Sequence, residues 1–233
     1  MLKFRPEPWR RPLPSPTVVG ILLGAWLVQL PLLPLSPRSE PLWYLTVFLG
    51  KTLLTLLAAL YLIYQAPPVG HWREKLGCRR LRLRFLPGLA AQSVLLLLTS
   101  LSITWLWRQV LIKCHVQVPE TQALLALARD AGPVEMILLI VLVTLAVPAL
   151  EELLFRRLLY GWLLPLIGFP GALALQAAAF AVMHNYLPGL PALLIFSVLQ
   201  QRYFCRCQSL TLPILAHGIY NAVNLAGALL FSV

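Results

Sequence analysis

The chain has 233 residues, of which 59 % are hydrophobic and only 12 % are charged. Because ordinary soluble domains contain about 45–50 % apolar residues, this composition excludes a soluble globular protein and predicts an integral membrane protein. The formal net charge of +11 does not indicate nucleic acid as a partner, since no basic patch carries a nucleic-acid-binding motif. The partner that the composition predicts is the lipid bilayer.

Seven apolar runs predict transmembrane helices, because about 20 apolar residues are needed to cross a bilayer. The runs cover residues 17–35, 42–64, 86–107, 135–156, 170–187, 188–201 and 210–232. The sixth run is short, and the fourth has two possible ends, at 156 or at 167. The predicted fold class is therefore all-α, a polytopic transmembrane bundle of about seven helices, within a range of six to eight.

The longest loop, residues 108–134, divides the chain into two predicted regions. Residues 1–134 hold the N-terminal transmembrane helices and their loops, and residues 135–233 hold a C-terminal catalytic core. Within the loop, apolar residues at helical spacing follow Pro119. They indicate either a short helix on the membrane surface or a simple connector.

Most of the basic residues fall in patches that are separated by whole spans. The patches are Lys3, Arg5, Arg10 and Arg11; Arg73, Lys75, Arg79, Arg80, Arg82 and Arg84; and Arg156, Arg157, Arg202 and Arg206. Cytoplasmic loops of membrane proteins carry an excess of lysine and arginine. The pattern predicts an integral protein of the plasma (inner) membrane with a cytoplasmic N-terminus, and Arg157 is interpreted as marking the approach to the cytoplasmic surface.

The stretch "EELLFRRLLYGW", residues 151–162, places four charges in an apolar region. Adjacent helical residues point about 100° apart, so Glu151 and Glu152 cannot face the same neighbour. Arg156 follows Glu152 by four residues, in the order that favours an ion pair on one helix face. Glu152 therefore has a partner in the sequence, whereas Glu151 has none.

Two further helices carry polar groups at membrane depth. His217 and Asn221 in "HGIYN" are four residues apart and share a helix face, and His184 follows Phe180 at the same spacing in "FAVMH". Each residue alone could simply tie two helices together. Because so many ionisable groups are costly in a membrane, their concentration predicts a cavity or pathway with a function.

Two carboxylates and two imidazoles could bind zinc, but the H-E-x-x-H signature is absent and no two histidines share a helix turn. A carboxylate that activates water with the help of an imidazole, opposite a pair that stabilises an oxyanion, fits the same groups without a metal or any other cofactor. Apolar surroundings make an unpartnered carboxylate such as Glu151 a stronger base than a solvated one.

Three motifs, E-E-x-x-x-R, F-x-x-x-H and H-x-x-x-N, occur in this order between about residues 135 and 225. In these motifs the chain resembles the CAAX-protease and bacteriocin-processing (Abi) family of glutamic intramembrane proteases. The resemblance implies a metal-independent endopeptidase whose site opens towards the cytoplasm. It also implies a peptide or protein substrate that is lipid-modified or bacteriocin-like.

The resemblance implies a role for each matching residue. Glu151 would activate water, His184 would hold or polarise that water, and His217 with Asn221 would stabilise the oxyanion. Motif residues in a supporting role are Glu152, Arg156 and Phe180. Many bacterial members have glycine where this chain has Arg157, which puts close helix packing at that position in doubt.

Two other functions stay open. The same groups could relay protons or ions in a transporter, or they could persist in a catalytically silent scaffold or immunity protein. A question of depth also stays open, because His184 lies deeper than Glu151 unless the fourth span continues to 167 or the fifth is tilted.

Overall fold

The computed structural model describes residues 41–65, 83–118, 128 and 131–230. These residues are almost entirely helical and include no β-strand, which confirms the all-α fold class. Three predicted features lie outside the described residues: the span 17–35, the basic patches before residue 83, and the proposed surface helix after Pro119.

Seven α-helices make up the described part of the chain. They are α1 (Pro41–Gln65), α2 (Leu86–Lys113), α3 (Pro133–Val141), α4 (Val147–Glu151), α5 (Tyr160–Met183), α6 (Leu190–Cys207) and α7 (Thr211–Leu230). Two π-helical segments, Leu142–Ala146 and Glu152–Leu159, join α3 to α4 and α4 to α5, so helical segments follow one another directly from Pro133 to Met183. Short 3₁₀ turns, Leu83–Phe85 and Leu187–Gly189, precede α2 and α6.

Four described segments are long and apolar enough to cross a membrane: Leu42–Tyr61, Leu86–Lys113, Pro133–Met183 and Thr211–Leu230. The chain is thus a helical protein with membrane-spanning segments, but the expected count of about seven spans is not confirmed. The expected sixth span, 188–201, falls in α6, which is not among the four. This helix carries the polar residues Gln200, Gln201 and Arg202 in sequence.

The segment Pro133–Met183 is folded back on itself at Gly168. This residue has φ 71° and ψ 176°, a conformation that glycine adopts without a steric penalty. Nη1 of Arg156 lies 3.2 Å from Oε1 of Gln176, although 20 residues would span about 30 Å in a straight helix. The segment is therefore a helical hairpin, and its first arm continues to the longer of the two predicted ends.

Aromatic rings pack where the hairpin meets α6. The Phe180 ring is edge-on to Phe155, with centroids 5.2 Å apart, and it stacks on Phe196 at 5.7 Å. Such pairs contribute about 0.5–1.5 kcal/mol beyond the area that they bury. Because Phe180 and Phe196 also contact His217, this cluster forms one wall of the polar site.

Helix α7 approaches the first π-helical segment closely. A Cβ atom at Gly218 would collide with the carbonyl oxygen of Thr144. One turn further along, Nδ2 of Asn221 donates a hydrogen bond of 2.9 Å to the carbonyl oxygen of Val143. These two contacts set the position of α7, and therefore of His217, against the hairpin.

Candidate active site

The structure brings four of the predicted side chains together from four helical elements. Glu151 ends α4, Glu152 begins the second π-helical segment, His184 follows α5 and His217 lies in α7. π-helical turns are rare and occur often at functional sites. The back-folding at Gly168 resolves the question of depth, because the second arm of the hairpin returns His184 to the level of Glu151.

Glu151 faces an imidazole on each side. Its Oε1 lies 3.8 Å from Nε2 of His184, and its Oε2 lies 3.7 Å from Nε2 of His217. Both distances exceed a direct hydrogen bond and suit groups that share a bridging water. Within the described part of the chain, Oε2 of Glu151 has no hydrogen-bond partner.

Exposure separates Glu151 and His184 from the groups behind them. The side chains of His184 and Glu151 are 19 % and 11 % exposed, whereas Glu152 and Arg156 are fully buried. A reactant can therefore reach the Glu151–His184 side of the site, while the Glu152–Arg156 pair lies behind it.

The hydrogen-bond partners assign the tautomers of both histidines. Nδ1 of His184 lies 2.8 Å from the carbonyl oxygen of Phe180, and Nδ1 of His217 lies 3.0 Å from Oε1 of Glu152. Because a carbonyl and a carboxylate only accept hydrogen bonds, both Nδ1 atoms carry the proton. In their neutral forms, both rings then present the lone pair of Nε2 towards Glu151.

Glu152 and Arg156 form the predicted ion pair. Oε2 of Glu152 lies 3.0 Å from Nε of Arg156. A buried ion pair is tolerated only when further polar groups satisfy both partners. His217 supplies one such group to the carboxylate.

The further partners of Arg156 are two residues that the sequence analysis did not identify. Nη1 donates to Oγ of Ser197 at 3.0 Å and to Oε1 of Gln176 at 3.2 Å. The guanidinium carbon also lies 4.7 Å from the Phe180 ring centroid, which is a cation–π distance. Ser197 and Gln176 are fully buried. Both are polar residues that stand among apolar residues of their helices, and this was the signal available in the sequence.

Gln200 is a third residue that the sequence analysis missed. It is fully buried in α6, and its Nε2 lies 3.5 Å from Oε1 of Glu152. The signal in the sequence is weaker at this position, because Gln200 is followed directly by the polar residues Gln201 and Arg202.

Asn221 shares the helix face of His217 as predicted, but its described hydrogen bond has a structural effect. One N–H of its amide is used for the carbonyl of Val143, so only the second N–H is available to a reacting group. Its role as an oxyanion donor stays a prediction.

Arg157, which was interpreted as marking the approach to the cytoplasmic surface, is packed inside the protein. Its side chain is buried, with 8 % exposed. The first hairpin arm continues for ten more residues beyond Arg157 before it turns at Gly168. The position of Arg157 relative to the cytoplasmic surface stays a prediction.

The side chains of the described residues do not cluster in a way that indicates a metal site. In the described ranges, no group of three or more His, Cys, Asp or Glu residues is placed to hold a metal ion. Metal independence itself stays a prediction.

Comparison with known proteins finds one family model that is similar to part of the chain. Residues 133–223 match the family model described as Rce1-like, type II CAAX prenyl endopeptidase Rce1-like. The match begins with α3, includes the whole hairpin and α6, and ends within α7, so α1 and α2 lie outside it. No curated protein and no solved structure shows a significant match to the chain.

Proposed function

Because residues 133–223 form a domain of the Rce1-like family of type II CAAX prenyl endopeptidases, we propose that this protein is an intramembrane glutamic endopeptidase. It hydrolyses a peptide bond in or near the bilayer with a water molecule that Glu151 activates. The observation that carries this proposal is the position of the Glu151 carboxylate between the Nε2 atoms of His184 and His217.

In the first step, water attacks the carbonyl carbon of the substrate. Glu151 accepts one proton of the water as its oxygen forms the new bond, which is general base catalysis. Nε2 of His184, whose Nδ1–H is bound to the Phe180 carbonyl, accepts the second O–H of the same water and orients it. The base and the orienting group come from two arms of one hairpin, so their separation is fixed by its packing.

The tetrahedral intermediate carries a negative oxygen that needs hydrogen-bond donors. Nε2 of His217 can donate only when the ring carries both protons, and the Glu152 carboxylate on Nδ1 then faces the positive ring. The second N–H of Asn221 completes the donor pair. This arrangement makes Glu152 an orienting partner of His217 as well as a partner of Arg156.

In the last step, the C–N bond breaks and the nitrogen needs a proton. Glu151 returns to the leaving nitrogen the proton that it took from water, so the carboxylate is regenerated. The hydroxyl of the water stays on the acyl product, and all atoms of the water are accounted for. The reaction needs no cofactor in this scheme.

The substrate and orientation follow from the same proposal. The substrate is a membrane-associated peptide or protein, either lipid-modified or bacteriocin-like, and the protein lies in the plasma (inner) membrane with its N-terminus in the cytoplasm. Four described Lys and Arg residues are exposed: Arg84, Lys113, Arg202 and Arg206. Three of them support a cytoplasmic surface near Arg84 and Arg206, whereas Lys113 lies at the other end of α2.

The test is proteolysis of quenched fluorescent membrane peptides by detergent-purified protein. Wild type is compared with Glu151→Gln, with a strong chelator, and with Glu135→Gln, a matched control in the first turn of α3, about 24 Å along the helix from residue 151. Cleavage that survives the chelator and Glu135→Gln but is lost in Glu151→Gln supports the proposal. Cleavage by Glu151→Gln would refute it, and chelator-sensitive cleavage would assign the chemistry to a metal.

A second arm of the test addresses the transporter. Proteoliposomes with a pH-sensitive dye report proton movement across the bilayer. Proton flux that depends on Glu151, in a protein that cleaves no peptide of the library, would replace the protease by a proton relay.

A further inference from the structure

Gln200 contacts both groups that hold His217 in place. Its Nε2 lies 2.9 Å from the carbonyl oxygen of Pro213 and 3.5 Å from Oε1 of Glu152. Glu152 binds the imidazole ring through the same Oε1 atom. In an α-helix, the carbonyl of residue 213 also accepts the backbone N–H of residue 217. Gln200 therefore contacts both Glu152, which binds the imidazole ring of His217, and the Pro213 carbonyl, which accepts the backbone N–H of His217.

The orientation of the Gln200 amide is fixed by its surroundings. Two acceptors, a carbonyl and a carboxylate, lie next to the nitrogen, so the NH₂ group must point to them. The amide oxygen then faces Nε2 of Gln92, at 3.4 Å. Both N–H donors of this fully buried side chain and one lone pair of its oxygen therefore have a named partner.

Gln92 connects this arrangement to a part of the protein outside the family domain. It lies in α2, is 9 % exposed and precedes the matched segment by about 40 residues. The contact from Gln92 through Gln200 to Glu152 thus runs from α2, by way of α6, to the hairpin. It is a hydrogen-bonded path across three helical elements that ends at the candidate site.

We propose that Gln200 is a positioning residue for the Glu152–His217 pair, and that Gln92 of α2 supports it from outside the family domain. Gln200 does not touch the reacting atoms. It acts by restricting the Glu152 carboxylate and the first turns of α7, so that Nε2 of His217 stays at its distance from Glu151. In metal sites, loss of the outer partner that orients a ligand costs about 10- to 100-fold in activity, and we expect a loss of the same order here.

The chain offers a matched control in the next residue. Gln201 is also fully buried in α6, but its Nε2 contacts Sγ of Cys205, at 3.5 Å. Gln200→Met and Gln201→Met therefore remove the same buried amide with a similar volume, and only the first removes contacts to Glu152 and Pro213. Thermal unfolding in detergent measures how much each substitution destabilises the fold.

The experiment combines kinetics with NMR of protein containing ¹⁵N-labelled histidine. We expect Gln200→Met to lower kcat by about 10- to 100-fold with KM nearly unchanged, and to remove the His217 Nδ1–H resonance, which is assigned with His217→Gln. Gln201→Met should retain both the wild-type kcat and the His217 Nδ1–H resonance. Gln92→Met should lower kcat and weaken the resonance, but less than Gln200→Met does. The kinetic part of this inference rests on the proposed function, but the resonance does not.

Two results would overturn the positioning role. One is a His217 Nδ1–H resonance that is unchanged in Gln200→Met, and the other is an equal loss of kcat in the Gln200 and Gln201 variants. If Gln200→Met does not fold, Gln92→Met, which leaves the contacts of Gln200 to Glu152 and Pro213 in place, decides by the same two measurements. If wild type itself cleaves no peptide, the proposed function fails, and the resonance alone tests Gln200.

Discussion

Nδ1 of His217 lies 3.0 Å from Oε1 of Glu152, while Nε2 of the same ring lies 3.7 Å from Oε2 of Glu151. One imidazole thus separates two glutamates that are adjacent in sequence and differ in their surroundings. Glu152 is enclosed by Arg156, His217 and Gln200, whereas Oε2 of Glu151 has no hydrogen-bond partner in the described part of the chain. Replacing each carboxylate by an amide should therefore affect different properties: stability at Glu152 and peptide cleavage at Glu151.

We predict that Glu152→Gln lowers stability strongly and that Glu151→Gln does not. Glu152→Gln leaves the buried Arg156 without its charge partner, and breaking a buried ion pair costs about 3–5 kcal/mol. Glu151→Gln removes no ion pair with Arg or Lys and should abolish peptide cleavage at nearly unchanged stability. Thermal unfolding in detergent and the peptide assay measure the two effects.

Glu151→Gln and Glu152→Gln serve as controls for each other in the unfolding and cleavage measurements. If both substitutions lowered the unfolding temperature equally, the division of roles between the glutamates would be wrong. If Glu151→Gln cleaved peptide like the wild type, Glu151 would not be the base.

The second prediction concerns Ser197. Its Oγ accepts a hydrogen bond from Arg156 at 3.0 Å and donates one to Oε1 of Gln176 at 3.2 Å. Ser197→Ala leaves a fully buried guanidinium with one polar partner fewer, and such a loss costs about 1–3 kcal/mol. Chemical or thermal unfolding should show this loss while KM stays unchanged, and a neutral result would mean that another group or a water replaces the hydroxyl.

The motifs predicted some contacts of the candidate site and left others to the tertiary fold. The spacing of Glu152 and Arg156 indicated their ion pair because both partners lie on one helix face, and the structure confirms it. Glu151 had no partner in its own helix, and its neighbours His184 and His217 come from elements that only the tertiary fold brings to it. Local spacing could not supply those distances.

Span boundaries were less predictable for a physical reason. Hydropathy does not distinguish one long helix from two helices that fold back at a glycine, and the decision at Gly168 depends on a single positive φ. The polar partners Gln176, Ser197 and Gln200 were missed because a single amide or hydroxyl in a helix belongs to no motif. Their role depends on Arg156 and Glu152, which lie 20 to 48 residues away in sequence.

The third prediction tests the turn of the hairpin. Gly168 has φ 71° and ψ 176°, a backbone region that is essentially restricted to glycine and costs other residues about 1–3 kcal/mol. Gly168→Ala should destabilise the protein by about this amount and lower cleavage, because the turn sets the distance between Glu151 and His184. Gly88→Ala is the control, since a Cβ there meets no atom within 4 Å and alanine favours a helix. Equal stabilities of the two variants would show that the turn tolerates a side chain.

The fourth prediction concerns Gly218, the residue after His217. An added Cβ would collide with the carbonyl oxygen of Thr144, which belongs to the backbone and cannot move aside like the end of a side chain. We expect Gly218→Ala to push α7 away from the hairpin, at a cost of about 1–3 kcal/mol, and to lengthen the distance from Nε2 of His217 to Glu151. Cleavage should fall mainly through kcat, because the displaced group acts on the transition state and not on the bound peptide.

Gly227→Ala provides the matched control for this displacement. Gly227 lies in the same helix, and a Cβ there meets no atom within 4 Å, so the substitution should leave both stability and kcat close to the wild-type values. If Gly218→Ala kept full kcat while unfolding at a lower temperature, the close approach of α7 would be needed for the fold alone. If it lost kcat and Gly227→Ala did not, the distance between His217 and Glu151 would be set by this one backbone contact.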